Sequence, residues 1–311
     1  MEPLIIIAGP TAVGKSDLAV RVAQKYNGSI ISCDSMQVYK EMNIGTAKIK
    51  SEETGGIEHY LIDILDPFEE FNIVMFKQMA NDAIRRIRRE GRIPIMVGGT
   101  GFYIQSVLYD TDFDECIDDP DYRQSLWELI DEKGAKHVHD MLEDIDPKAA
   151  ANISVNDHKR LVRALEYNHQ TGGLISKHNE ENRTRKPVYN HCFFVLTDER
   201  SRIYGNIDKR VDKMIGEGLV EEVESLMQKG LRRENISMQG LGYKEIIDHL
   251  SGEISLEEAV YRIKRDSRHF AKRQLTWFRR ERDVIWLDKS LNTDIMSVID
   301  DELKKKGIIN E

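Results

Sequence analysis

The chain has 311 residues, 40% hydrophobic and 32% charged, with a formal net charge of −9. This is the make-up of a globular protein with one large domain, or a core domain plus a smaller one. It contains no apolar run long enough to span a membrane, and Met1 leads almost directly into Leu4-Ile5-Ile6-Ile7 with no basic leader, so a cytoplasmic protein with no membrane partner is expected. The three cysteines (Cys33, Cys116, Cys192) form no C-x-x-C pair, which argues against a zinc site or a disulfide framework; His137-x-His139 is expected to be a solvated pair.

Residues 4–8 form a short, fully apolar run, as a buried parallel strand requires. A glycine turn and a helical pattern over residues 15–26 follow. Residues 29–32 give a second strand and 61–65 a third. Residues 74–90 have helical spacing, with Phe76, Met79, Ala83, Ile84 and Ile87 on one face. Residues 93–97 give another strand, ending in Gly98-Gly99-Thr100-Gly101 before a helix to residue 109. Strands alternating with helices predict an α/β fold with a parallel sheet flanked by helices. The alternation stops over residues 114–187, where helices and turns predict a helical insertion domain. It resumes with a strand at 191–196, helices over 203–228, 243–250 and 256–282, and a last strand at 284–287. The predicted division is a core of residues 1–113 plus 188–311, with 114–187 inserted.

Gly9-Pro10-Thr11-Ala12-Val13-Gly14-Lys15-Ser16 satisfies G-x-x-x-x-G-K-[ST] at every position, between a strand and a helix. That is the P-loop context: backbone N–H groups turn inward around an anion, the helix N-terminus adds partial positive charge, and Lys15 adds a full one. Ser16 is the candidate ligand for Mg²⁺. The motif implies a polyphosphate rather than ATP in particular. The 93–97 strand carries no acid at its end, where a kinase or ATPase would carry one for its metal; Asp63 and Asp66 are the available substitutes. The second strand ends at Ser32-Cys33-Asp34-Ser35. In open parallel sheets ligands bind beyond the carboxyl ends of the strands, so the P-loop, Asp34 and Thr100 are expected in one crevice. Asp34 would be a general base or metal ligand there, or simply a cap for the next helix.

Several blocks together are more specific. Asp34-Ser35-Met36-Gln37-Val38-Tyr39, Ile44-Gly45-Thr46-Ala47-Lys48, His59-Tyr60-Leu61-Ile62-Asp63, Val97-Gly98-Gly99-Thr100-Gly101, Gly242-Tyr243-Lys244-Glu245 and Ala271-Lys272-Arg273-Gln274-Leu275-Thr276-Trp277-Phe278-Arg279 occur in that order after the P-loop. Over nearly its whole length the chain resembles the bacterial tRNA dimethylallyltransferases, also called tRNA isopentenyltransferases. The resemblance implies transfer of a dimethylallyl group from dimethylallyl diphosphate to the exocyclic N6 amine of the adenosine 3′-adjacent to the anticodon, in tRNAs reading codons that begin with U. It implies catalytic roles for Asp34, Thr100 and Arg210, with diphosphate on residues 9–16 and Mg²⁺ at Ser16. The tRNA contacts it implies are Asp34, Ser35, Met36 and Gln37; Arg123; Lys159, Arg160, Leu161, Val162 and Arg163; and Gln239, Gly240, Leu241, Gly242, Tyr243 and Lys244. The insertion would grip the anticodon stem-loop, and a monomer is expected.

Charge distribution bears on the RNA partner. Between Arg262 and Arg282 there are nine basic residues and two acids, Asp266 and Glu281, and Lys159, Arg160 and Arg163 form a second basic cluster. Ile263, Phe270 and Trp277 recur every seven residues as the expected buried stripe of the basic helix. Such a helix in an acidic chain is the footprint of phosphate contact, or a solvated face. Three other functions compete with the tRNA enzyme: a P-loop kinase of a small metabolite or nucleotide, a prenyltransferase acting on free adenylate, and a non-catalytic RNA-binding or nucleotide-switch protein.

Overall fold

A computed structural model describes residues 1–111, 119–291 and 294–310. Cys116 and the expected start of the insertion at Asp114 lie outside the described residues. The chain divides into two compact units, residues 1–108 with 187–311 and residues 109–186.

In chain order the first unit begins with β1 (Pro3–Ala8), α1 (Lys15–Lys25), β2 (Gly28–Ser32), β3 (His59–Tyr60), α2 (Ile73–Arg89), β4 (Ile93–Gly98) and α3 (Gly101–Leu108). The second unit is helical over its described residues: α4 (Pro120–Lys133), α5 (Ala135–Ile145), α6 (Pro147–Ala150), α7 (His158–Thr171) and α8 (Ile175–Thr184). The chain returns to the first unit with β5 (Asn190–Thr197), α9 (Arg200–Gly216), α10 (Leu219–Gln228), α11 (Tyr243–Leu250), α12 (Leu256–Phe278), β6 (Val284–Asp288) and α13 (Ile295–Lys305).

The strands form one sheet in the order β3-β2-β4-β1-β5-β6, all parallel. Leu4, Ile5, Ile6 and Ile7 in β1 and Phe194 and Val195 in β5 are completely buried, because helices cover both faces. Register aligns the carboxyl ends that matter: Ala8 pairs with Gly98 and Ser32 with Val97, and the Cys33 N–H continues the ladder onto the Val97 carbonyl at 2.7 Å. The loops leaving β1, β2 and β4 therefore start side by side. The β1-to-β2 connection runs to one side of β1, and the next strand after β4 lies on its other side, which makes this edge a topological switch point.

Three expectations about the elements of the first unit are corrected. The strand expected at 61–65 is absent: Leu61 and Asp63 have φ of +64° and +55°, incompatible with an extended strand, and pairing there is confined to His59–Tyr60 plus a lone bridge between Tyr39 and Leu65. The helix expected over 203–228 is two helices, broken where Gly218 adopts φ +102°. In α12 the buried stripe is Ile263, Ala271, Gln274 and Phe278, whereas Phe270 and Trp277 are half-buried; a strict seven-residue repeat drifts off a straight helix face.

The second unit packs around Leu126, Ile130, Val138, Leu142, Leu161 and Leu165. Asp119 and Asp157 cap α4 and α7 through the N–H groups of Tyr122 and Arg160. His137 is exposed, but His139 is half-buried with Nε2 3.1 and 3.2 Å from the carbonyls of Ala150 and Ile153, so it braces the unit rather than standing in solvent. Among the described residues no helix is long and apolar enough to cross a membrane.

Candidate diphosphate cradle and acceptor site

The P-loop joins β1 to α1 as its sequence requires. Gly14 takes the left-handed conformation, φ +96°, and caps α1 without a side chain. The N–H groups of the first turn therefore lack a side-chain partner and are available to an anion. Lys15 curls back so that Nζ donates to the Pro10 carbonyl at 2.7 Å. Lost hydration, and then the neighbouring Arg210 guanidinium, pull the Lys15 ammonium down to about 7; the Asp34 carboxylate opposes them.

Two adjoining cavities open here. The larger, about 1170 Å³, is lined by Lys15, Ser16, Lys48, Asp63, Lys209 and Arg210 among others. The smaller, about 100 Å³, has Thr11, Lys15, Ser16, Asp34, Gln37, Gly98, Gly99 and Arg210 on its polar wall, and Ala19, Ile30, Ile49, Ile62, Val97 and Phe270 among its apolar residues. Lys15 and Arg210 face both. Burial pushes the Arg210 guanidinium below its usual range, with Asp34 acting in the opposite sense.

Asp34 opens on the smaller cavity, and one of its oxygens is fixed. Oδ1 accepts from the N–H groups of Met36 at 2.9 Å and Gln37 at 3.4 Å. This is the capping geometry weighed from sequence, but turns rather than a helix follow it. Oδ2 has no hydrogen-bond donor among the described residues, so one carboxylate oxygen is held and the other is free to take a proton. Ser16 is exposed on both cavities, with Asp34 on the smaller and Asp63 on the larger. Hydroxyl and carboxylate oxygens suit Mg²⁺, although Asp63 is already ion-paired with Lys48. Asp66 instead accepts from the Phe68 N–H at 3.0 Å.

Thr100 follows the lining residue Gly99 and opens α3, its carbonyl accepting from Tyr103 and Ile104. Of the stretches implicated in RNA contact, two meet: Met36 packs on Gly240, where an added Cβ would stand 2.7 Å from its terminal methyl. Ser35, Met36, Gln37, Leu241 and Lys244 are partly exposed and Gln239 is exposed, but Tyr243 is only 1% exposed. In the second unit Lys159, Arg160 and Arg163 are exposed, whereas Leu161 and Val162 belong to its core. Arg123 there is held by the buried Glu166 carboxylate at 2.5 Å.

Sequence reasoning gave no role to Gln274, which the structure makes the joint of the cradle. Its Oε1 accepts the Thr11 N–H at 2.9 Å and its Nε2 donates to the Gly99 carbonyl at 3.1 Å. A side chain at Gly99 would collide with this amide, and one at Gly101 with the Trp277 indole. Two motifs far apart in sequence thus interlock, and the placement of Gln274 three residues before Trp277 on one helix face was the available signal. His59 was also missed as a lining residue; burial lowers its pKa, and Nδ1 stands 2.8 Å from the Ile57 carbonyl.

Comparison with known proteins gives the chain a family. The chain is 55% identical to a tRNA dimethylallyltransferase of Lachnoclostridium phytofermentans, over 98% of this chain and 97% of that one, and 48% identical to that of Bacillus licheniformis, over 92% and 90%. Its fold is similar to the crystal structure of a tRNA isopentenylpyrophosphate transferase from Bacillus halodurans, with TM-score 0.75, 42% identity and 99% of each chain covered. It is also similar to a eukaryotic dimethylallyltransferase acting on tRNA, with TM-score 0.76, 30% identity, and 99% of this chain and 78% of that one covered. The family model described as IPP transferase matches residues 37–281, a span that takes in Gln37, the Gly98–Gly99 turn, Arg210 and Gln274 alike, and the chain belongs to that family.

Proposed function

We propose that this protein transfers a dimethylallyl group from dimethylallyl diphosphate to the N6 amine of the adenosine 3′-adjacent to the anticodon in tRNAs reading codons that begin with U. One observation carries the reading: an anion cradle with two cations, Lys15 and Arg210, shares a cavity wall with a carboxylate, Asp34, that has one oxygen free. An adenine amine is a weak nucleophile because its lone pair is delocalised into the ring. It needs a base for its proton and an electrophile whose leaving group is stabilised. As the N–C bond forms, the C–O bond to the diphosphate breaks and its electron pair leaves with the diphosphate, while an amine proton passes to Asp34. Lys15, Arg210, the loop amides and the Thr100 hydroxyl meet the charge that develops on the departing oxygen. Mg²⁺ at Ser16, when bound, would neutralise more of that charge.

A base stacked in an anticodon loop is out of reach, so the acceptor has to be extruded into the cavity. Ser35, Met36 and Gln37 with Gln239, Gly240, Leu241 and Lys244 are the acceptor-side contacts, while Gly242 is buried with its N–H on the Glu245 carboxylate. Lys159, Arg160 and Arg163, with Arg123, are the contacts of the helical unit with the stem-loop. Tyr243, Leu161 and Val162 support these contacts from the core. The protein works as a cytoplasmic monomer. The kinase reading is disfavoured because β4, directly beside the P-loop strand, ends in glycines rather than a metal-binding acid.

Incubation with labelled dimethylallyl diphosphate and unmodified tRNA, followed by nucleoside analysis, is expected to yield N6-dimethylallyladenosine beside the anticodon. Label transferred to AMP in preference to an anticodon stem-loop, or ATP consumed with dimethylallyl diphosphate ignored, would replace this reading with one of its rivals. Asp34→Asn keeps the Oδ1 acceptor for Met36 and Gln37 while removing the base. It should lower kcat by about 10²–10⁴-fold with tRNA affinity nearly unchanged; full transfer by that variant removes Asp34 as the base.

A further inference from the structure

Glu222, on α10, lies outside every stretch singled out in the sequence, yet its carboxylate takes four donors. Oε2 accepts from the N–H groups of Asn43 and Ile44, both at 2.8 Å. Oε1 accepts from the Gly45 N–H at 3.1 Å and the Tyr243 hydroxyl at 2.7 Å. Three successive amides around an anion make a nest of the kind that binds phosphate, but here the anion is the protein's own. The loop so pinned delivers the Thr46 carbonyl, which accepts from Arg210 Nη2 at 3.3 Å and Gln37 Nε2 at 3.4 Å. Among the described residues this carbonyl is the sole hydrogen-bond acceptor of Arg210, so the guanidinium stands where the loop puts it. On the other side the Tyr243 ring fills the space a side chain at Gly45 would need, and Tyr243 belongs to the acceptor-side stretch 239–244.

We infer that Glu222 is a positioning residue. Through Gly45 and Thr46 it sets the place of Arg210 over the diphosphate cradle, and through Tyr243 it ties that place to the stretch that meets the acceptor. The inference rests on the roles given above to Arg210 and residues 239–244. Glutamine cannot replace Glu222: each carboxylate oxygen accepts from at least one backbone N–H, so whichever way the amide sits its NH₂ opposes a donor.

The test is a double-mutant cycle on dimethylallyl transfer to an anticodon stem-loop, with Glu222→Gln, Tyr243→Phe, Arg210→Gln and the Glu222→Gln/Arg210→Gln pair. Glu222→Gln is expected to lower kcat by about tenfold or more, and the pair to be no slower than Arg210→Gln by more than about twofold, because residues acting through one group are not additive. Tyr243→Phe removes the phenolic donor and keeps the ring. It should show a smaller kcat loss, and it carries the same cycle if Glu222→Gln does not fold. Multiplying effects in the double variant, or wild-type turnover by both Glu222→Gln and Tyr243→Phe, would overturn the inference. Wild-type turnover by Arg210→Gln overturns the role of Arg210 on which it depends, and absence of transfer by the unmodified protein overturns the function itself. These three patterns are distinguishable.

Discussion

Lys15 is a residue whose protonation state should change when the cradle fills. In the free protein its ammonium rests on the Pro10 carbonyl beside Arg210, and its pKa falls to about 7. Below that value the lysine is charged with or without ligand. Above it, the free protein holds a neutral amine, while a bound diphosphate would draw the proton back and raise the pKa towards the ordinary lysine range. Binding therefore takes up a proton across this window, and affinity for inorganic diphosphate falls as pH rises above about 7, by at most about tenfold per pH unit for one proton. Calorimetry at pH 8 in buffers of different ionisation enthalpy measures the uptake. Lys15→Arg stays charged throughout, so it supplies the baseline for titration of the diphosphate itself. Uptake by the wild type no larger than by Lys15→Arg would mean that Lys15 is already charged in the free protein.

At the scale of elements, α12 holds the cradle together through one side chain. Gln274 bridges positions 263 and 175 residues away in the chain and is only 6% exposed. Leucine there would leave the Thr11 N–H and the Gly99 carbonyl without their partner, at about 1–3 kcal/mol for each group that stays buried. Gln274→Leu is expected to lower the midpoint of denaturant unfolding and to weaken diphosphate binding, whereas Gln274→Glu keeps the acceptor and loses the donor. Unchanged stability and diphosphate affinity in Gln274→Leu would show that the loop and the turn hold their shapes unaided. This strut also shows what was legible and what was not. β1, β2, β4 and the P-loop could be found because their signals are local: an apolar run, a glycine spacing, a helix start. Asp34 could be placed because it follows the carboxyl end of a strand in the same parallel sheet as the P-loop strand, whereas Arg210 reached the site through resemblance, since a lone arginine on a helix face carries no local signal. Two failures are local, the helix break at Gly218 and the drift of a seven-residue repeat along α12; the others are tertiary. Residues 61–65 are apolar enough for a strand, but the loop holding Asp63 against Lys48 bends through left-handed residues. Glu222 is indistinguishable in sequence from its solvated neighbour Glu221, because the amides it serves lie some 180 residues earlier.

At the scale of the whole molecule, an acidic protein has to bind a polyanion. The net charge of −9 repels RNA in general, so attraction has to come from places where positive charge stands unneutralised. In the first half of α12 it is neutralised: Arg262 pairs with Glu258, Lys264 with Asp212, Arg265 with Asp266 and Arg268 with Asp208. Towards its end Lys272, and just beyond it Arg279 and Arg280, are exposed and have no ion-pair partner among the described residues; the same holds for Lys159 and Arg163 in the helical unit. The basic run is thus half solvated ion-pair ladder and half open charge, and the two halves should respond differently to substitution. The logarithm of tRNA affinity should fall linearly with the logarithm of salt concentration. Each phosphate contact removed should lower that slope by about 0.7–0.9. Replacing Lys272, Arg279 and Arg280 with glutamine should therefore flatten the slope by about two to three units, while replacing Arg262 and Arg265 should leave it nearly unchanged. Fluorescence anisotropy of a labelled anticodon stem-loop titrated at several potassium chloride concentrations reads both. Equal flattening by the two sets would mean that the ion pairs give way to RNA phosphates, and no flattening by the first set would remove the end of α12 from the interface.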